Sequence, residues 1–171
     1  MIFRTILQPT SLTSIKFVTS NMPLFTVRSA TAADYSALID LEVEARREIA
    51  SFRGHESLLL ANTLIAANWA STVSNKTCLV LVAETSGHIV GYAKGDISIN
   101  DASCVVNHIY VVQMARQLGI GAGLITEIAR LAKSQGCKTL DALALPGDRK
   151  MKNLYERVGM PARLLIASKT L

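Results

Sequence analysis

The stretch "RQLGIGAG", residues 116–123, carries the most explicit chemistry in this sequence. Glycines stand at 119, 121 and 123, between an apolar run, "HIYVV", and the helix-like "LITEIARLAK". Glycine has no Cβ, so backbone N–H groups in such a loop can converge on an anion. The helix that follows adds its free N–H groups and its partial positive charge. Arg116 adds a mobile cation. The layout suits a pyrophosphate; the bland alternative is a tight strand-to-helix turn. A P-loop is excluded, because it requires G-x-x-x-x-G-K-[ST] and neither the lysine nor the hydroxyl is present. A dinucleotide site would use G-x-G-x-x-G with an acid about 20 residues on, and Asp141 does follow Gly121 by 20 residues. Against it, "QMARQL" separates strand from loop, and about 50 residues remain after the loop, too few for the rest of such a sheet.

Two further side chains have chemistry to offer. Tyr155 lies on a helical stripe with Met151, Leu154 and Val158. A phenol there can pack in an apolar face and still present a proton, or can be an ordinary core aromatic. His108 has an intrinsic pKa suited to proton transfer, although strict strand alternation points it away from a cleft. Glu84 and Asp96 are other candidate bases. Glu42, Glu44, Glu48 and Glu56, among Arg46, Arg47 and Arg53, read as a solvated helix face or as an attractant for a cationic amine. His55, His88 and His108 lack metal-ligand spacing, and no metal site is expected. Cys78, Cys104 and Cys137 lack C-x-x-C spacing and read as small buried hydrophobes in a reducing compartment, hence a cytoplasmic protein.

The elements that must position these groups follow from periodicity. "LFTVR" (24–28) alternates as a strand. Thr31 and Asp34 form a capping-box pattern ahead of a helix near 32–49. Residues 56–71 read as a second helix, with Leu58, Ala61, Leu64, Ile65 and Trp69 inward. Strands at 77–84, 89–99 and 104–112, joined by short turns, form an antiparallel meander. Leu124, Ile125, Ile128, Leu131 and Ala132 define one face of the helix after the glycines, and Gly136 ends it. A strand at 137–145 follows by a helical crossover and so lies parallel to its predecessor. Asp148 caps a last helix that ends at Gly159, and 162–171 reads as a final strand. The order is β-α-α-β-β-β-α-β-α-β, an α/β single domain with a mixed sheet over residues 24–171.

On these residues the chain resembles the GNAT-type N-acetyltransferase superfamily. "RQLGIG" fits the family's R/Q-x-x-G-x-G/A signature, with Arg116, Gly119 and Gly121 at its fixed positions and Val111 five residues ahead. "DRKMKNLYERVGM" is similar to its second motif, N-x-x-A-x-x-L-Y-x-x-x-G-F; Leu154, Tyr155 and Gly159 match, while Asp148, Met151 and Met160 replace the Asn, Ala and Phe. The resemblance implies acetyl-CoA as acyl donor and an amine as acceptor. It implies that the backbone of Gln117, Leu118, Gly119, Ile120, Gly121 and Ala122 cradles the pyrophosphate, with Arg116 and Asp148 beside the cofactor. It implies a splayed parallel strand pair that admits the pantetheine arm, with Ile109, Tyr110 and Val111 in contact. An N–H near Val111 would polarise the thioester carbonyl. Tyr155 matches the family's proton donor. The position of the family's strand glutamate is Val105, so the base stays open among His108, its neighbour Asn107 and a water relay. That gap also favours an alternative, a non-catalytic acyl-CoA-binding module of the same fold. The family allows a homodimer.

Composition narrows the classes. The 171 residues suit one domain, half of them are hydrophobic, and the net charge is +5. Scattered basic residues and few aromatics argue against a nucleic-acid partner. No apolar run of about 20 residues exists to cross a membrane. Residues 1–23 contain Arg4 and Lys16, many Ser and Thr, and no acid before Asp34. They read as an N-terminal extension: disordered, a targeting segment, or the product of an upstream start with Met22 as the working one.

Overall fold

A computed structural model describes residues 23–167 and 169. The expected N-terminal extension, 1–23, lies outside the described residues except for Pro23. Five strands form one sheet in sequential order: β1 (Thr26–Ser29), β2 (Cys78–Thr85), β3 (His88–Ser98), β4 (Ser103–Val111) and β5 (Thr139–Ala142). The first three pairings are antiparallel and β4–β5 is parallel. Ser86 and Gly87 both take positive φ in the two-residue β2–β3 turn, the geometry that matches strand twist.

β2 explains why its apolar run does not alternate with polar residues. Leu79, Leu81 and Ala83 face one core, with Ala93, Cys104 and Val106. Val80 and Val82 face another, with Leu38, Leu41, Ile65, Trp69 and Tyr92. A strand covered on both sides is hydrophobic on both. Helix α4 (Ile120–Ser134) covers the first face through Ile120, Leu124 and Ile128. Helices α1 (Tyr35–Ile49) and α3 (Trp69–Ser74) cover the second. Thr31 N–H donates to Asp34 at 2.7 Å ahead of α1. Arg28 grips the same carboxylate at 2.8 and 2.9 Å and holds its pKa down at about 2.

Two expected elements differ. The single helix over 56–71 is instead α2 (His55–Ala61), a 3-10 turn (Ile65–Asn68) and α3. Asn62 closes α2, its backbone and side-chain N–H groups both donating to the Leu58 carbonyl. The buried Glu42 carboxylate of α1 then starts the next turn, accepting from Ile65 N–H at 3.0 Å. Leu64 is consequently exposed while Ile65 and Trp69 are buried. The final strand is also absent among the described residues: 162–167 and 169 are irregular, with Leu164, Leu165 and Ile166 exposed. A strand needs a neighbour for its N–H and C=O groups, and among the described residues no strand pairs with that segment. α5 (Arg149–Arg157) precedes it.

Candidate active site

β4 and β5 pair only from Ser103–Thr139 to Val106–Ala142. Beyond that point β4 continues to Val111 with its β5-side edge open, so the parallel pair is splayed. Which backbone groups face the opening follows from the antiparallel ladder with β3. Val112 N–H donates to Val90 O at 2.9 Å, which makes this a hydrogen-bonded pair. Val111–Gly91 and Ile109–Ala93 are then of the alternate kind, and their N–H and C=O groups point away from β3. Those of Ile109 and Val111 therefore face the splay, while Tyr110 bonds back to β3.

A 3-10 turn (Gln113–Ala115) leads from β4 to the glycine loop. Gln117 has φ 70° and Gly119 has φ 85°, and this left-handed geometry curls the backbone ahead of α4. Gly123 N–H is the first to find a partner, Gly119 O at 2.9 Å. The N–H groups of Gln117, Leu118, Gly119, Ile120, Gly121 and Ala122 thus form an uninterrupted row with no backbone acceptor among the described residues, at a helix N-terminus. The two downstream glycines are there for close approach. A Cβ on Gly121 would meet Leu154 of α5 at 3.0 Å, and one on Gly123 would meet the Phe25 ring at 2.8 Å.

Arg116 does not extend toward that row. Its Nε donates to Val111 O at 2.8 Å, its Nη1 pairs with Glu48 of α1 at 2.7 Å, and its guanidinium lies 5.4 Å from the Tyr110 ring centre. The mobile cation of the sequence reading is a fixed strut between β4 and α1 that holds the Glu48 carboxyl below its ordinary range. Tyr110 also reaches α1, its hydroxyl donating to Glu44 at 3.3 Å.

A cavity of about 70 Å³ opens between α1, α2, β4 and α5, lined among others by Arg46, His108, Ile109, Asp148 and Tyr155. That is room for a compact polar group or several waters. His108 reaches it because β4 bulges: Lys94 pairs with His108 and Gly95 with Val106, leaving Asn107 as the extra residue. A bulge re-aims the side chains beyond it, which overrides the alternation that would have turned His108 away. Its Nδ1 lies 4.0 Å from Glu42 Oε1 and its Nε2 is buried with no protein partner. Burial first, then Lys94 and Arg46, push its pKa down to about 4, so the ring is neutral at pH 7. Tyr155 is buried, and its hydroxyl donates to Leu143 O at 3.0 Å on the segment that continues past β5. Burial, with Asp148 secondary, raises its pKa, so it stays protonated. Asp148 accepts from Met151 N–H at 2.9 Å as the N-cap of α5. Of the other base candidates, Asp96 is held by Lys94 and Asn107, each at 2.6 Å, and Glu84 is bound to Arg28 at the β1 edge.

A profile for the Acetyltransferase (GNAT) family matches residues 37–160, spanning both strands of the splay, the N–H row and α5. The chain belongs to the GNAT acetyltransferase family. It is an acyltransferase, and acetyl-CoA is the usual acyl donor of that family. An uncharacterized N-acetyltransferase, YhfO, of Bacillus subtilis (strain 168) is 26% identical over 140 residues, 78% of this chain and 87% of its own. The fold is shared with BH1408 from Bacillus halodurans at a TM-score of 0.69 and 18% identity, covering 85% of this chain and 99% of that one. The aminoglycoside N-acetyltransferase AAC(6')-Iy, solved with a CoA-based bisubstrate analogue, gives 0.64 and 16%, covering 86% and 99%.

Glu42, Glu48 and Arg46, which in the sequence read only as part of a solvated helix face or as an attractant for a cationic amine, have individual roles in this site. Glu42 is fully buried and caps the turn at Ile65. Glu48 holds Arg116, and Arg46 lines the cavity. Each belongs to a run of alternating charges on α1, and nothing in that run separates the residues that turn inward from those that stay in water. No helix among the described residues is long and apolar enough to cross a membrane, and no metal-binding cluster occurs among them.

Proposed function

We propose that this chain transfers an acetyl group from acetyl-CoA to a primary amine of a small molecule or a protein, by direct attack of the amine on the thioester. The observation that carries this reading is the open edge of β4 beside the row of six unpartnered N–H groups. The row suits a pyrophosphate, with Gln117 to Ala122 as its donors. The edge suits an amide-bearing pantetheine arm, met by Ile109 and Val111, with Tyr110 as the platform that fixes the strand to α1. Arg116 serves by bracing Val111, and Asp148 by setting the start of α5.

The amine nitrogen forms a bond to the thioester carbon as the carbon–sulfur bond breaks. The carbonyl oxygen gains negative charge on the way, and the Val111 N–H facing the splay can stabilise it. Sulfur leaves with the electron pair, and Tyr155, protonated at neutral pH, turns its O–H from Leu143 O to that sulfur and gives up the proton. The nitrogen must shed a proton, and neutral His108, a residue of the cavity lining with an unpartnered Nε2, is our candidate to take it. A pKa near 4 makes His108 a weak base, so it handles the proton only as bond formation acidifies the nitrogen. Three free cysteines suit a cytoplasmic setting.

The test has two parts. Coenzyme A and acetyl-CoA should raise the unfolding temperature, as ligands of the native state do, and an amine panel should release free thiol. Binding without thiol release from any amine would leave only a non-catalytic acyl-CoA module, and protection by NAD(P) but not coenzyme A would overturn the cofactor assignment.

A further inference from the structure

Among the described residues, two buried side-chain nitrogens have no hydrogen-bond partner in the protein: Arg46 Nε and His108 Nε2. Both residues line the same cavity. Buried polar atoms are nearly always paired, so an unpaired one asks for an explanation. Two around one cavity share one explanation, a ligand that bonds to both.

The geometry specifies that ligand. Glu42 stands behind both residues: its Oε1 is 3.4 Å from Arg46 Nη2 and 4.0 Å from His108 Nδ1. Ile65 and Ala66 N–H groups fix that carboxylate in turn. Arg46 is held further by Nη2 donating to Asn62 O at 2.8 Å. Its Nη2 is therefore committed to the protein, while Nε, the adjoining donor of the planar fork, is not. Guanidinium edges suit carboxylates. On the α5 wall of the same cavity stands Asp148, which complements a cation. An Arg46 guanidinium paired with Glu42 through Nη2 but with Nε still unpartnered on one wall, the Asp148 carboxylate on the other and a cavity of about 70 Å³ describe a small zwitterion. Two further acids of α1, Glu48 and Glu44, are already engaged by Arg116 and Tyr110 and so are less available to a polycationic acceptor.

We propose that Arg46 forms an anion subsite in the acceptor cavity, and that the amine acylated here carries a carboxylate close by, as a free α-amino acid does. This rests on the acetyltransferase reading above. The experiment compares kcat/KM for acetylation of L-alanine, L-alaninamide and ethylamine by thiol release. A charge-assisted bond to Arg46 should favour alanine over both others by about 10- to 100-fold. The bias runs against intrinsic reactivity, because alaninamide holds more of its amine as free base. Arg46→Met should bring alanine down to the level of alaninamide, and Arg46→Lys should restore part of the preference. Turnover of all three amines at similar efficiency by the wild-type chain would overturn this inference and leave the acetyltransferase reading standing. Persistence of the preference in Arg46→Met would also overturn it. Absence of turnover with every amine would overturn both.

Discussion

Glu42→Gln keeps the volume of a fully buried side chain and removes its charge, and the structure says how much that should cost. The carboxylate accepts from Ile65 N–H at 3.0 Å through both oxygens, from Ala66 N–H at 3.4 Å and from Arg46 at 3.4 Å. Glutamine supplies one carbonyl oxygen, and its NH2 must face a donor. At least one backbone N–H or the guanidinium then loses its acceptor. Hydrogen bonds to charged groups contribute about 1.5–3 kcal/mol, and an orphaned buried donor costs a similar amount. We expect a loss of about 2–3 kcal/mol, or about 4–12 °C in Tm for a chain of this size. Urea unfolding should show a lower midpoint at unchanged slope, the signature of a pure stability change. Glu44→Gln is the control: it gives up one exposed contact, at 3.3 Å to the Tyr110 hydroxyl, and should change stability by less than about 0.5 kcal/mol. If Glu42→Gln falls within that same margin, the buried carboxylate does not hold the Ile65 turn, and the positioning of Arg46 argued from it fails.

Other outcomes separate roles the sequence had merged. Gly119→Ala forces alanine to φ 85°, a strain of about 1–2 kcal/mol at the N–H row, and should weaken coenzyme A binding several-fold by titration calorimetry. Gly123→Ala should instead lower stability by about 1–3 kcal/mol through overpacking against Phe25, less what alanine's helix propensity returns, with coenzyme A affinity within about 2-fold; equal affinity losses at both would contradict this division. Tyr155→Phe should lower kcat by about 100-fold or more if the hydroxyl donates to the leaving sulfur, and unchanged steady-state kinetics and pH profile would remove that role. His108 titrates near its ordinary 6.5 in the unfolded chain and at about 4 when folded. The unfolded state therefore binds the extra proton between these values, so stability is complete above pH 6.5 and declines as pH falls to about 4, by up to about 3 kcal/mol. His108→Phe should flatten that part of the pH–stability curve, and an unaltered slope would show that His108 does not titrate in this way.

Features that depend on neighbours along the chain can be read from the residues alone. The meander, the stripe of α4, the glycine loop, the Asp148 cap and the parallel β4–β5 crossover were legible because periodicity, turn residues and capping act over a few positions. The family followed from two such motifs at their separation. Which charged residues of α1 turn inward is set by partners distant along the chain. Glu48 meets Arg116 across 68 residues and Glu42 meets Ile65 across 23, and no local pattern distinguishes those carboxylates from Glu44 or Glu56. Long-range packing also sets the role of Gly123, which lies against the Phe25 ring, because the constraint comes from a residue near β1 and not from the loop. His108 turns into the cavity because β4 bulges at Asn107, a defect set by its pairing with β3. The segment 162–167 carries a strand's residues without a strand's partner, and pairing is a property of two segments, which one segment's composition cannot supply.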